Sequence, residues 1–330
     1  MSSTFRCFYV EKNAAGNVTR GVCELPREKL PPGEVLVRVE YSSLNYKDAL
    51  AAGGHPGVVR SLPHIPGIDA AGVVEESSSP KLQPGQRVVI TGYDLGAGHW
   101  GGWSEYVRIP ADWIVPLPAG LSLEDTMILG TAGFTAAQCV LALETNGIGP
   151  AAGEVVVTGA TGGVGSLAVK LLAQLGYHVV AVTGKSQLAP QLHAWGAKQV
   201  IGRDEVLNTS TKPLLSSRWA AAVDTVGGQT LTTIIRQTKD YGVVAACGLV
   251  GGSELPLTVH PFLLRGVILA GIASAALPYD RRLGIWERLC GPWKINGLSI
   301  LATEVPLTGV EEKVQQILKG EIIGRTVVKL

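Results

Sequence analysis

Three regimes of apolar and polar spacing divide the chain. From residue 1 to about 125, short β-branched runs follow turn signals. Pro31-Pro32-Gly33 leads into Glu34–Glu40, where apolar and charged side chains alternate; Pro66-Gly67 leads into Ile68–Glu75, and Pro84-Gly85 into Arg87–Thr91. Alternation with Pro-Gly punctuation predicts strands of a partly closed β-domain. From about 130 to 270 the apolar runs become continuous. Strands are predicted over Glu154–Thr158, His178–Val182, Lys198–Ile201, Trp219–Asp224 and Gly242–Cys247, with a further run at Gly266–Ile272. Helices are predicted over Gly163–Leu175 and Gln187–Trp195, ended by Gly176 and Gly196. Uninterrupted Val-rich strands are covered on both faces. Strand and helix in alternation build βαβ units and a parallel sheet. The tail holds one amphipathic helix, Val310–Lys319, and a last strand, Arg325–Leu330.

Composition narrows the class. Glycine contributes 42 of 330 residues and charged side chains 17%, against roughly 7% and 25% in ordinary chains. A long, apolar, weakly charged chain buries a large core, which excludes disorder. Lys+Arg 28 against Asp+Glu 27 leaves +1, so no global field draws nucleic acid or an anionic membrane. Cys7, Cys23, Cys139, Cys247 and Cys290 are odd in number and form no C-x-x-C pair. Neither a disulfide framework nor a structural zinc is indicated, and reduced thiols of a cytoplasmic protein are expected. The start, Met1–Val10, carries Arg6 and no long apolar core, unlike a signal peptide. Met127–Leu143 and Gly266–Leu277 are too short or too interrupted for a membrane span.

The strongest local signal follows the strand ending at Thr158. Gly159-Ala-Thr-Gly-Gly-Val-Gly165 sits between strand and helix, where a dinucleotide pyrophosphate is held by backbone N–H groups and the helix dipole. Ala160 replaces a glycine of the usual pattern. The next strand chooses the dinucleotide. A carboxylate there would hydrogen-bond the ribose 2′-hydroxyl of NAD, but Val182 is followed by Thr183-Gly184-Lys185. Thr and Lys suit a 2′-phosphate, and Arg203 reaches the same corner if the sheet has the usual order. NADPH is the expected cofactor.

Several further stretches carry a family resemblance: Ser42–Asp48 (SSLNYKD), Pro66–Gly72 (PGIDAAG), Gly98–Gly102, Gly130–Ala136, Asp224–Gly227, Ala246–Leu249 and Gly324–Val328. With the glycine loop, they resemble the zinc-independent medium-chain dehydrogenase/reductase superfamily over essentially the whole chain. More narrowly, they are similar to its acrylyl-CoA reductase branch, often named quinone oxidoreductase. The fold class implied is α/β, a Rossmann doubly wound parallel sheet plus a GroES-like β-rich catalytic domain. The catalytic domain is expected over 1–128 and 272–330, and the Rossmann domain over 129–271. The resemblance also implies a homodimer and NADPH-dependent reduction of the C2–C3 bond of acryloyl-CoA. Zinc-dependent members have Cys where Asn45 stands, His-Glu at Ile68-Asp69, and a four-Cys lobe; metal-free chemistry is expected here.

Carried across by motif, the phosphate contacts implied are Thr161, Gly162, Gly163 and Val164. Thr183, Gly184, Lys185 and Arg203 fall at the 2′-phosphate. Tyr46, Leu249, Leu263 and Ser274 fall at the nicotinamide end, with Arg325 near the cofactor. Relatives can carry Asn where Gly320 stands.

Reduction of an unsaturated thioester places hydride on C3, negative charge on the thioester oxygen and a proton on C2. Tyr46 is the candidate for positioning and proton delivery, and Asn45 for donating its amide to the thioester oxygen or to the ribose. Asp48 reads as a helix cap, Asp69 as an acceptor for backbone donors, and Lys47 as solvent-facing. The glycine-rich segment 92–102 reads as a flexible loop bordering a substrate cleft. His99 within it and Arg60 are the substrate candidates, for proton relay and for CoA phosphates. His55, His64, His178, His193 and His260 have no metal spacing. Two other readings stay open: an NADPH:quinone oxidoreductase and a non-catalytic NADPH-binding protein.

Overall fold

The computed structural model describes residues 3–330, so the reading of the chain start falls outside the described residues for Met1 and Ser2. The chain forms two compact units. One runs through Thr131 and includes Ala275–Pro292 and Asn296–Leu330; the other comprises Ala132–Ser274 and Trp293–Ile295. The crossings fall at 131/132 and 274/275, each three residues beyond the expected boundary, and a short piece of the return joins the second unit.

In the first unit, β1 (Thr4–Lys12) and β2 (Val18–Pro26) make an antiparallel ribbon of their own. There follow β3 (Val35–Leu44), α1 (Tyr46–Ala52), β4 (Asp69–Ser77), β5 (Arg87–Thr91), β6 (Tyr106–Ile109) and β7 (Ile114–Pro116). The predicted alternation holds only in part in β3: Val35, Leu36, Val37 and Val39 are all buried, and Arg38 is exposed between the last two. α2 (Leu123–Thr145) carries the chain across the first crossing and is broken at Gly130, whose φ of 49° is left-handed. Contrary to the sequence expectation, α2 is long and apolar enough to cross a membrane, but its apolar window is 83% buried within the protein, as in a core helix.

The second unit continues with β8 (Glu154–Val157), α3 (Gly163–Gln174), β9 (His178–Val182), α4 (Ala189–Ala194) and β10 (Gln199–Ile201). β11 (Trp219–Asp224), α5 (Gly228–Gln237), β12 (Thr238–Ala246), α6 (His260–Arg265) and β13 (Ile268–Gly271) complete it. Its strands form one parallel sheet in the order β10-β9-β8-β11-β12-β13. That is the Rossmann order, with the switch point between β8 and β11.

The return holds α7 (Tyr279–Cys290), β14 (Ala302–Pro306), α8 (Val310–Leu318) and β15 (Arg325–Lys329). The expectation of a single helix in this tail is corrected by α7. Its apolar stripe is interrupted by Arg282, which is itself buried. Arg282 donates to Thr91 O, Thr91 Oγ1 and Ala275 O, and its guanidinium lies 4.3 Å from the centre of the Tyr93 ring. β15 pairs with β3 over Tyr41–Leu44, and β6 pairs with β3 over Val35–Arg38. The β-domain sheet is thus β14-β15-β3-β4-β5-β7 with β6 on β3, finished by strands from the return.

Candidate active site

In the first unit the candidate chemistry gathers where β3 enters α1. Asn45 caps α1 in a capping box with Asp48. Its Nδ2 donates to Asp69 Oδ2 (2.8 Å), Asp48 Oδ2 (3.0 Å) and Ser43 Oγ (3.3 Å), and its Oδ1 accepts from Arg325 Nη1 (3.1 Å). Both ends of the amide are therefore occupied. This corrects the oxyanion-donor expectation: Asn45 organises the site rather than facing substrate.

Asp69 is fully buried and accepts from Ser43 Oγ at 2.6 Å, Thr131 Oγ1 at 2.6 Å and the Thr131 N–H at 2.9 Å. Arg325 is 2% exposed. It donates to the carbonyls of Ile128 and Leu44 and lies 3.9 Å from Asp69. The expectation of Arg325 at the cofactor gives way to this buried anchoring role, because its donors are turned onto backbone. A side chain at Gly130 would meet Asp69 Oδ2 at 2.6 Å and Arg325 Nη2 at 2.8 Å, so the break in α2 makes room for the ion pair.

Asp48 accepts from the N–H groups of Ile68 (2.7 Å), Gly67 (3.2 Å) and Asn45 (2.8 Å). Burial pushes its carboxyl up to about 7, and the charge of Asp69 adds to the rise. Tyr46, the first residue of α1, is 44% exposed. Its exposed phenol suits a group that meets a ligand.

The segment 92–102 is built differently from the expected flexible loop. Gly101, Gly102 and Trp103 donate to Ile65, Gly67 and Pro66 O, so glycine here permits close backbone packing. His99 Nδ1 lies 3.0 Å from Trp100 O, with the ring edge-on to Trp113. Arg60 pairs with Asp94 at 2.8 Å and lies across Gly98, so it latches this segment.

In the second unit the glycine loop turns at Gly159, φ 57°. A Cβ at Gly165 would collide with the Gly159 carbonyl. α3 begins with Gly162 as its cap and no side-chain cap bond, which leaves its first N–H groups for an anion. Thr161, Gly162, Gly163 and Val164 all lie in this turn. Sequence reasoning missed its support. Asp224, at the end of β11, accepts from Thr158 Oγ1 (2.7 Å) and the Gly227 N–H (2.7 Å), and Thr225 donates to Thr158 both ways round the switch point. Burial raises the Asp224 carboxyl, against these hydrogen bonds. The Asp-Thr-Val-Gly stretch was the available signal.

β10 beside β9 brings Arg203 against Gly184: a Cβ there would lie 2.6 Å from Arg203 Nε. Lys185 N donates to Thr183 Oγ1 at 3.0 Å. Thr183, Gly184, Lys185 and Arg203 thus gather in one corner at the end of β9. Leu249 and Leu263 are exposed, and Ser274 ends the unit's main stretch. Gly320, φ 71°, follows α8 at a left-handed position that suits Gly or Asn for backbone reasons alone. Among the described residues no group of three or more His, Cys, Asp or Glu is arranged to hold a metal.

Residues 31–119 match the alcohol dehydrogenase GroES-like domain family, and residues 163–285 match the zinc-binding dehydrogenase family. The chain belongs to the medium-chain dehydrogenase/reductase superfamily and is an oxidoreductase. Within that class it is 48% identical over 325 residues to the Ruegeria pomeroyi acrylyl-CoA reductase AcuI, covering 98% of each chain. The solved Salmonella enterica yhdH oxidoreductase in complex with NADP is 46% identical (TM-score 0.95, covering 98% of this chain and 99% of that one). The Bacillus subtilis protein yhfP with NAD bound is 45% identical (TM-score 0.96, all of both chains).

Proposed function

We propose that this protein reduces the C2–C3 double bond of a short 2-enoyl-CoA, acryloyl-CoA to propionyl-CoA, with NADPH. The full-length identity to an acrylyl-CoA reductase carries the substrate assignment. The corner of Thr183, Gly184, Lys185 and Arg203 supports NADPH, since a cationic side chain replaces the carboxylate that NAD would need. Bound there, NADPH supplies the hydride that C3 accepts. The α3 N-terminus would hold its pyrophosphate, and Arg203 with Lys185 would hold the 2′-phosphate. Tyr46 orients the reacting groups and delivers the proton to C2. The Asn45–Asp69–Arg325 network fixes the start of α1, and with it Tyr46. Metal-free chemistry agrees with the donor set, because Asn45 and Ile68 stand where zinc-dependent members have Cys and His. We further propose a homodimer. β13 forms one edge of the six-stranded sheet, and Ile268 on it is exposed, as are Val259, Leu263 and Leu264 just before it in the chain.

The test is NADPH consumption on a panel of short enoyl-CoAs and quinones, with product identified by mass spectrometry. Propionyl-CoA formed from acryloyl-CoA is expected. Turnover of quinones with none of enoyl-CoA would establish the quinone reading instead. Light scattering on the eluted protein tests the dimer.

A further inference from the structure

In the β1–β2 ribbon Cys7 stands directly across from Cys23. The N–H groups of Phe8 and Val10 point away from β2, to Trp103 O and His64 O. Cys7 has the opposite parity, so its pair with Cys23 exchanges the ladder hydrogen bonds. Such pairs hold their Cα atoms about 5.5 Å apart, inside the span of about 4.4–6.8 Å that a disulfide bridges. Side chains of directly opposed residues lie on the same face of the ribbon, so the two thiols face each other across the strands. Both thiols are free.

We propose that Cys7 and Cys23 form a reversible modification site, a cross-strand dithiol that closes to a disulfide by exchange with a small-molecule disulfide. Cys23 reacts first. It is half-buried on a strand whose sheet partner is β1 alone, whereas Cys7 is buried among Phe5, Phe8, Ile65 and Trp103. The Cys23 thiolate attacks one sulfur of the small disulfide, whose S–S bond breaks; one small thiolate leaves and takes up a proton. Cys7, deprotonated, then attacks the Cys23 sulfur of the mixed disulfide and expels the second small thiol. Two protein thiols are oxidised and one small disulfide is reduced to two thiols. Burial raises both thiols, so exchange is slow at neutral pH and quickens as pH rises. The closed bond ties β2 to β1. Arg20 of β2 donates to Ala52 O at the end of α1 and pairs with Glu311, so the oxidised ribbon also steadies α1.

The test uses oxidised glutathione on the full chain at about pH 8.5, near the ordinary thiol range, followed by alkylation and non-reducing peptide mapping. The expected result is a Cys7–Cys23 linked peptide and a protein about 2 Da lighter by loss of two hydrogens. Cys139, Cys247 and Cys290 are then still alkylated, and dithiothreitol reverses the change. Cys7→Ser is expected to halt at a glutathione adduct on Cys23, whereas Cys23→Ser leaves Cys7 unmodified. Alkylation of both Cys7 and Cys23 after treatment would overturn the proposal. So would a link confined to other cysteines, such as Cys139 and Cys247. Mapping of the native chain decides the matter even if a variant fails to fold.

Discussion

The proposed preference for NADPH rests most heavily on one side chain, Arg203. Its guanidinium lies on Gly184, a residue that offers no side chain to displace it. Charge-assisted hydrogen bonds contribute about 1.5–3 kcal/mol, so Arg203→Ala should raise the KM for NADPH about 10- to 100-fold. The KM for NADH should stay nearly constant. Steady-state kinetics with both cofactors checks this, and an equal loss for the two would remove Arg203 from the 2′-phosphate corner. Tyr46→Phe should lower kcat about 100-fold, the scale of a lost general acid, and leave NADPH affinity unchanged in a fluorescence titration. Residue 203 was legible in advance because strand order alone predicts its place. Asn45 was misjudged, since an amide looks equally available in sequence whether its ends are free or occupied. Here they are occupied by Asp69 and by Arg325, whose anchor at Leu44 is 281 residues away.

At the scale of elements, α1 depends on buried charge. Asp48 titrates at about 7 in the fold and at about 3.9 in the unfolded chain. Between those values the folded protein holds a proton that the unfolded chain has released. Asp48 therefore subtracts stability as pH rises from about 4 to 7. In Asp48→Asn the decline of Tm across this window should flatten, although Tm itself falls as the capping box weakens; thermal melts over a pH series show both. Arg325→Met should cost about 3–5 kcal/mol in urea unfolding, because it leaves Asp69 buried without its cation. The Rossmann strands were legible because burial on both faces leaves an unbroken apolar run, as in Val155–Val157. α7 was not, because buried Arg282 interrupts the pattern that marks a helix. The β1–β2 ribbon was hidden too. β2 has little buried surface to impose an alternation.

For the whole molecule, two folding units share one chain in an interleaved order. That the return completes the β-domain was implied by the family resemblance; the late strand Arg325–Leu330 by itself names no partner. The short excursion of Trp293–Ile295 into the second unit had no sequence signal. A ligand that binds only the folded state stabilises it by about 2.7 kcal/mol at a hundred times its Kd. NADPH should therefore raise the unfolding temperature of the second unit, seen as a shifted transition in calorimetry. NADH at the same concentration should shift it less. An identical shift from both would speak against the 2′-phosphate corner.

The pairing of β15 with β3 also sets a timetable for synthesis. Arg325 reaches Leu44 across 281 residues. At about 5–20 residues per second, β3 is exposed on the ribosome for roughly 15–55 s before the strand that covers its Tyr41–Leu44 edge exists. Throughout that interval Asp69 lacks its arginine as well. A nascent chain in this state offers an open strand edge beside an unneutralised carboxylate, and the whole of the second unit is made while it waits.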